Sequence, residues 1–192
     1  MPLSTPVKRK ALHNRHVHCE GFLRDDGLIE IDGHMTDTKP FDFPNQDRGG
    51  VIRSGEALHG ISARISFDHS MTIMEAEAVL DDTPYNYCKN IAPVFKKLVG
   101  IKIGPGWRGR IQEVMGGIKG CTHLTELLGP MATTAFQTMV SVNIPDYVPN
   151  AENSGIRQLP KLINTCHTHA EDSPVVKRHY PEIQHKKVVG SN

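Results

Sequence analysis

Residues 61–80 read ISARISFDHSMTIMEAEAVL, and this stretch predicts a β-hairpin. Apolar and polar residues alternate from Ile61 to Phe67, which is the period of two expected of a half-buried strand. The same period follows in the second half, at Met74, Ala76, Ala78 and Leu80. Asp68-His69-Ser70 lies between the halves and has the composition of a tight turn.

A second hairpin is predicted upstream of the first. Val17, Cys19 and Leu23 alternate with polar residues, and Ile29, Ile31 and Met35 do the same after the turn Asp25-Asp26-Gly27. Residues 39–50 hold two prolines, Asn45 and a glycine pair, and this composition indicates a loop.

Beyond residue 90 the apolar period changes to that of helices. Apolar faces predict helices over 91–99 and 107–115 and a third beginning near Leu124, which Gly129-Pro130 should break or kink before it resumes at Met131. Weaker strand signals fall at 162–166 and 175–178. Strands followed by helices predict an α+β fold, with an antiparallel sheet of N-terminal hairpins and the helices packed on one face. We expect a flexible arm over residues 1–12, one domain over 13–184 and a polar tail over 185–192.

Charge and composition restrict the class of partner. The 192 residues hold 22 Lys and Arg against 21 Asp and Glu, so the near-zero net charge disfavours nucleic acid and anionic membranes as partners. No apolar run approaches the roughly 20 residues of a membrane helix, and the N-terminus has no secretory signal. We therefore expect a cytoplasmic protein with a small-molecule substrate. The sequence leaves open whether the chain forms a homo-oligomer. The 11 histidines favour chemistry near neutral pH.

Cys121 and His123 form the sharpest local motif. They come just before a predicted helix, whose free N–H groups and dipole stabilise a thiolate, so Cys121 suits either a nucleophile or a metal ligand. Cys88 also precedes a predicted helix. Cys88, Cys121 and His123 are therefore predicted as ligands of a zinc or iron ion. The alternative is a buried free thiol beside a capping pair.

Other candidate residues lie beside glycines or in turns. Those predicted to be catalytic, as bases or oxyanion-stabilising cations, are His34, His59, Asp37, Lys39 and Arg24. Those predicted to bind substrate are Tyr85, Trp107 and Arg108, the last two in a glycine-flanked segment that could hold an aromatic or anionic ligand. Phosphate loops, the G-x-S-x-G elbow and H-E-x-x-H are absent from the sequence, which disfavours standard nucleotide enzymes and classical hydrolases.

Several of these segments, in order, resemble a bacterial family. They are residues 24–28, 32–39, 55–59, 83–88, 120–128 and 135–138, and together they resemble the domain of unknown function 2889 family over roughly residues 12–181. The resemblance implies a cytoplasmic bacterial protein encoded beside genes for catabolism of aromatic or steroid-like compounds. The chain departs from the family pattern after His59, where Gly60 stands in place of an acidic residue.

These observations lead to an expected function. We expect a catabolic lyase that cleaves a C–C or C–O bond of an aromatic, lignin-type or steroid-type metabolite without oxidation, using His, Arg and Lys as acids and bases. A Cys/His metal-dependent hydrolase is the alternative enzyme. A non-catalytic metal or iron–sulfur protein is the third possibility.

Overall fold

A computed structural model describes residues 3–142 and 163–181. Its chain forms two compact units, residues 1–139 and 140–192. The first unit contains a four-stranded antiparallel sheet in the order β1-β2-β5-β6. Its strands are β1 (Asn14–Leu23), β2 (Ile29–Thr38), β5 (Ala57–Phe67) and β6 (Ile73–Asp82). Helices follow in the second half of the sequence, so the α+β prediction is confirmed.

Both predicted hairpins are present. The turn at residues 24–28 joins β1 to β2, and a turn containing Asp68 and His69 joins β5 to β6. Val17 and Leu23 of β1 lie opposite buried Met35 and Ile29, on the face predicted to point inward, but both are exposed because β1 is an edge strand. Met74 is exposed as well, because a register shift after Ser66 removes it from the alternation in β6.

The segment predicted as a loop contains a further small hairpin. Strands β3 (Phe43–Asn45) and β4 (Gly50–Ile52) pair antiparallel across residues 46–49. The strands are only three residues long, and Pro44 conceals the first of them from propensity rules. Residues 3–12 are exposed and lie outside regular elements, in the stretch predicted as an arm. The predicted tail lies outside the described residues.

Three longer helical segments and a short 3-10 turn, Gly117–Lys119, follow the sheet in the described part of the chain up to residue 142. A 3-10 segment, Asn86–Leu98, begins earlier than the predicted helix and buries Phe95 and Leu98. Helix α1 spans Trp107–Met115 as predicted. Helix α2 spans Thr122–Val142 and continues through Pro130, so the predicted break is wrong. Leu128 and Met131 are buried on either side of Pro130, and this core packing offsets the lost backbone hydrogen bond.

Two glycines let α2 approach the sheet closely. A Cβ built on Gly33 of β2 would lie 2.8 Å from Met131 Cγ, and one on Gly21 of β1 would lie 2.9 Å from Thr138 Cβ. The N-terminal half of α2 therefore lies over β2 and its later turns lie over β1. The core between them includes Ile31, Leu127 and Met131, each fully buried.

The second unit contains one described helix, α3 (Pro174–His179). Pro174 occupies the first turn, and Ser173 Oγ accepts a hydrogen bond from the Val176 N–H. The strand predicted over 175–178 is therefore wrong, because this serine cap and proline start a helix. The strand predicted near 162 falls on turns in its described part. No helix in the described residues is both long and apolar enough to cross a membrane.

Replacing Gly21 with alanine tests the close approach of α2. The added methyl group collides with Thr138, whose branched side chain is fixed on the helix, so Gly21→Ala should reduce the free energy of unfolding by about 1–3 kcal/mol. Gly109→Ala is the matched control, because its methyl group enters open space inside α1 and should stabilise by up to about 1 kcal/mol. Urea denaturation measures both, and equal effects would contradict the close packing.

Candidate functional site

Three side chains form a row across three neighbouring strands. The register of β1 and β2 pairs Arg15 with Asp37, and the register of β2 and β5 pairs Asp37 with His59. Directly opposed residues point to the same face of a sheet, about 5 Å apart at Cβ. This row lies on the helix-covered face. A bulge follows at once, between Asp37 and Thr38, where strand irregularities often orient a functional side chain.

Asp37 is the buried centre of the row, with its side chain only 1% exposed. Arg15 donates to both carboxylate oxygens, from Nε at 2.7 Å and from Nη2 at 2.8 Å. His59 Nδ1 lies 3.0 Å from Oδ2, and His13 Nε2 lies 3.3 Å from Oδ1. Burial alone would raise the pKa of Asp37, but the hydrogen bonds and charge of Arg15 hold it at about 2. Asp37 is therefore a carboxylate at neutral pH.

Helix α2 brings two more groups to this row. Cys121 directly precedes the helix, and its carbonyl accepts the Thr125 N–H, so Cys121 and not Thr122 occupies the capping position. His123 lies in the first turn, with Nε2 3.5 Å from Asp37 Oδ2 and Nδ1 3.9 Å from Cys121 Sγ. Its ring stacks against His59 with centroids 3.8 Å apart.

The pKa values of the two stacked imidazoles are shifted in opposite directions. Burial and the positive charge of His123 lower the pKa of His59 below 6.5, although Asp37 opposes the shift. The hydrogen bond with Cys121 raises the pKa of His123 above 6.5. Burial raises the pKa of the Cys121 thiol, but the bond with His123 and the N–H groups of His123 and Leu124 outweigh burial and lower it overall. Near neutrality, this arrangement favours a neutral His59 beside a charged His123.

Asp37, His59 and His123 are also the described residues that could hold a metal ion together, with ligand atoms within 4.8 Å of one another. Arg15, however, already binds both oxygens of Asp37. A cation bound there would therefore lie beside the guanidinium held at 2.7 and 2.8 Å, and the repulsion between the two positive charges disfavours a metal ion at this group.

The predicted ligand set of Cys88, Cys121 and His123 requires correction. The structure brings Cys121 and His123 together, but among the described residues Cys88 belongs to no group of potential ligand atoms. Cys88 lies in the 3-10 segment, which packs against β6, whereas His123 lies over β2. β5 separates those two strands in the sheet.

Three of the residues predicted to be catalytic lie elsewhere. His34 is on the opposite face of the sheet, where its Nδ1 contacts Ser62 Oγ at 3.1 Å. The Lys39 amine lies over the rings of Phe41 and Phe43. Arg24 is at the far end of β1 and forms ion pairs with acidic neighbours. Of the predicted catalytic set, only Asp37 and His59 meet.

The residues predicted to bind substrate also separate. Trp107 and Arg108 line a cleft of about 640 Å³ between α1 and α2, together with Thr122 and Glu126. Trp107 is only 9% exposed, and its indole Nε1 donates to the Leu128 carbonyl at 3.4 Å, so it forms part of the cleft wall. Tyr85 is 61% exposed at the start of the 3-10 segment. Substrate binding by these residues stays a prediction.

Sequence reasoning missed three members of the site: His13, Arg15 and Glu126. Arg15 forms ion pairs with both Asp37 and Glu126, and Glu126 lines the cleft. Arg15 therefore connects the row across the strands to that cleft. The hairpin turn was a usable signal, because a register centred on Asp26 places Arg15 opposite Asp37. The register of β2 and β5 then places Asp37 opposite His59 and supplies the acidic partner that Gly60 does not provide.

The Arg15–Asp37 pair predicts how stability depends on pH. Since the pKa of Asp37 falls from 3.8 to about 2 on folding, its contribution is complete above pH 3.8 and is lost as pH falls towards 2. Asp37→Asn should reduce the free energy of unfolding by roughly 2 kcal/mol at neutral pH. The difference between this variant and the wild type should disappear as the pH falls from 3.8 to about 2. Asp42→Asn, at an exposed pair with Arg53, should have a much smaller effect on the free energy of unfolding. A gap at Asp37 that is independent of pH in urea denaturation would contradict this account.

Comparison with known proteins places the chain in a family. No curated protein and no solved structure matches it. One family model does match, over residues 13–137, and this range contains every residue of the site from His13 to Glu126. The chain therefore belongs to the family described as protein of unknown function DUF2889.

Proposed function

We propose that the chain is a lyase that breaks a C–C or C–O bond of a small hydroxylated metabolite by proton transfer at His59 and His123. One observation carries the proposal: two imidazoles stack at 3.8 Å beside a single buried carboxylate. Two neighbouring titratable groups whose environments shift their pKa values apart are typical of an acid and a base that act together.

His59 is the base of this pair. Ionised Asp37 accepts a hydrogen bond from Nδ1, which fixes the proton on that nitrogen and leaves the lone pair on Nε2. The lowered pKa of His59 keeps the ring neutral near pH 7. Its side chain is 15% exposed, so the ring lies at the surface of the core and not within it.

His123 is the acid. The contact with Cys121 raises the pKa of this imidazole, so the ring holds a proton more readily than His59 does. Its side chain is 23% exposed. Because His59 and His123 are adjacent, removal and delivery of a proton occur on the same side of a substrate.

The proton balance covers both kinds of cleavage. For a C–O bond, His59 takes a proton from the neighbouring carbon, the electron pair forms a double bond, and the leaving oxygen receives a proton from His123. For a C–C bond, His59 takes a hydroxyl proton, the oxygen becomes a carbonyl, and the released carbon receives the proton from His123. Neither route requires an oxidant, and proton exchange with solvent restores both rings.

The proposed substrate class rests on the family resemblance and on the cleft. The catabolic setting implied by the resemblance suggests aromatic or steroid-type metabolites. The α1–α2 cleft supports that class, because Trp107 and Arg108 both line it. Its volume of about 640 Å³ suits a small molecule. We place the enzyme in the cytoplasm, where its four cysteines, free in the structure, would stay reduced.

Replacing His59 with glutamine tests the assignment. The variant keeps a polar side chain but has no titrating nitrogen, so kcat on aromatic substrates with hydroxyl-bearing side chains should fall at least about 100-fold. His34→Gln is the matched control and should retain activity, because His34 lies on the opposite face of the sheet. Products are measured by liquid chromatography with mass spectrometry.

A chelator arm separates this proposal from the metal-dependent hydrolase. Dialysis of the wild type against EDTA should leave kcat unchanged, because the proposed step uses only side-chain protons. Equal losses in the two histidine variants, loss of activity on chelation, or no turnover across the substrate panel would each contradict the proposal.

A further inference from the structure

We propose that Cys121 is a second reactive centre, a nucleophile that takes the acyl group from acyl thioesters and activated esters. This activity goes beyond the proposed lyase, because it uses a covalent bond to sulfur and does not require His59. It rests on three groups in sequence, the thiol, an imidazole and a carboxylate, and on the cleft beside them.

The thiol sits where a helix favours the anion. Cys121 precedes α2, which is 21 residues long, and the backbone N–H groups of His123 and Leu124 help to lower the pKa of its thiol. Free N–H groups and the helix dipole both stabilise a negative charge at this end. The residue is half-buried, so a ligand can reach the sulfur without unfolding.

A base and an orienting group follow in line. His123 presents Nδ1 to Cys121 Sγ at 3.9 Å, while its other nitrogen, Nε2, lies 3.5 Å from Asp37 Oδ2. Arg15 fixes Asp37 through both of its oxygens. A nucleophile, a base and a third group that orients the base are the geometric requirements of covalent catalysis.

The cleft between α1 and α2 gives an acyl group room. Thr122 and Thr125, on the first turns of α2, line this cleft of about 640 Å³. Cys121 and His123 are the chain neighbours of Thr122, so each of them is one residue away from the lining of the cleft. Gln112 on α1 lines the same cleft and offers an amide donor to an acyl oxygen.

The chemical steps balance with water as the only co-reactant. The Cys121 thiolate attacks the acyl carbon and forms a C–S bond. The substrate C–S or C–O bond then breaks, and its leaving group takes the proton of the His123 imidazolium. Water next gives a proton to neutral His123 and attacks the acyl-enzyme, the bond to Cys121 breaks, and a carboxylic acid leaves.

The other cysteines provide internal comparisons. Cys166 also faces a histidine, with Sγ 3.2 Å from His169 Nδ1, but it lies among turns and precedes no long helix. Burial raises the pKa of the Cys19 thiol, the opposite of the effect at Cys121. Cys88 is half-buried like Cys121 and precedes most of the 3-10 segment. Cys88 therefore serves as the control for a thiol of similar exposure. Cys166 serves as the control for a thiol that has a histidine beside it.

The test is acetyl transfer from S-phenyl thioacetate to the purified full-length chain at neutral pH. Intact-mass measurement and peptide mapping after an acid quench should find one acetyl group per chain, on Cys121, with thiophenol release continuing after the first turnover. Cys121→Ser should abolish the adduct, and Cys88→Ser and Cys166→Ser should leave it unchanged. His123→Gln should slow acetylation at least about 10-fold, with folding checked by circular dichroism.

Other outcomes overturn the inference. Absence of acetylation in the wild type, a label spread equally over Cys88, Cys121 and Cys166, or a label that persists in Cys121→Ser would each do so. If His123→Gln is misfolded, the labelling of wild type against Cys121→Ser still decides the question. Because the adduct is detected without any lyase substrate, its presence or absence is independent of whether the proposed lyase reaction occurs.

Discussion

The buried ion pair between Asp37 and Arg15 is the interaction on which the site depends. A carboxylate that is 1% exposed would be costly without a partner, and the two-point contact with Arg15 compensates for the burial. The pair also fixes the edge strand β1 to the centre of the sheet. Once ionised and held, Asp37 determines the tautomer of His59 and attracts the charged ring of His123. Its removal would therefore alter both imidazoles.

Packing brings the helix to this ion pair. The absence of side chains at Gly21 and Gly33 lets α2 lie close to β1 and β2, and this depth allows His123 to reach Asp37 from the first helical turn. The helix then contributes the free N–H groups at its start to Cys121. Acid and thiol lie two residues apart at the start of α2, whereas the base comes from β5, and only the folded sheet and helix bring them together.

The sequence predicted those elements whose periodicity is strong and local. The hairpins around Asp26 and His69 and the helix from Trp107 were visible because one face of each is regularly apolar. The continuity of α2 through Pro130 was hidden, because core contacts at Leu128 and Met131 override local propensity. β1 resembled a half-buried strand, although its place at the edge exposes it.

The site was only partly predictable for a related reason. Asp37, His59, Cys121 and His123 were identified by residue type and by neighbouring glycines or a helix start. Cys88 was grouped with them by residue type and by its place before a predicted helix, but among the described residues it joins no group of potential ligand atoms. His34 differs from Asp37 by an odd number of positions, so strand alternation places it on the opposite face.

The different protonation states of the two stacked imidazoles are the central claim, and nitrogen NMR of histidine-labelled protein measures them directly. Near neutral pH, with assignments from His59→Gln and His34→Gln, the account predicts a neutral His59 with its proton on Nδ1 and a doubly protonated His123. Two neutral rings, or a charged His59 beside a neutral His123, would contradict it.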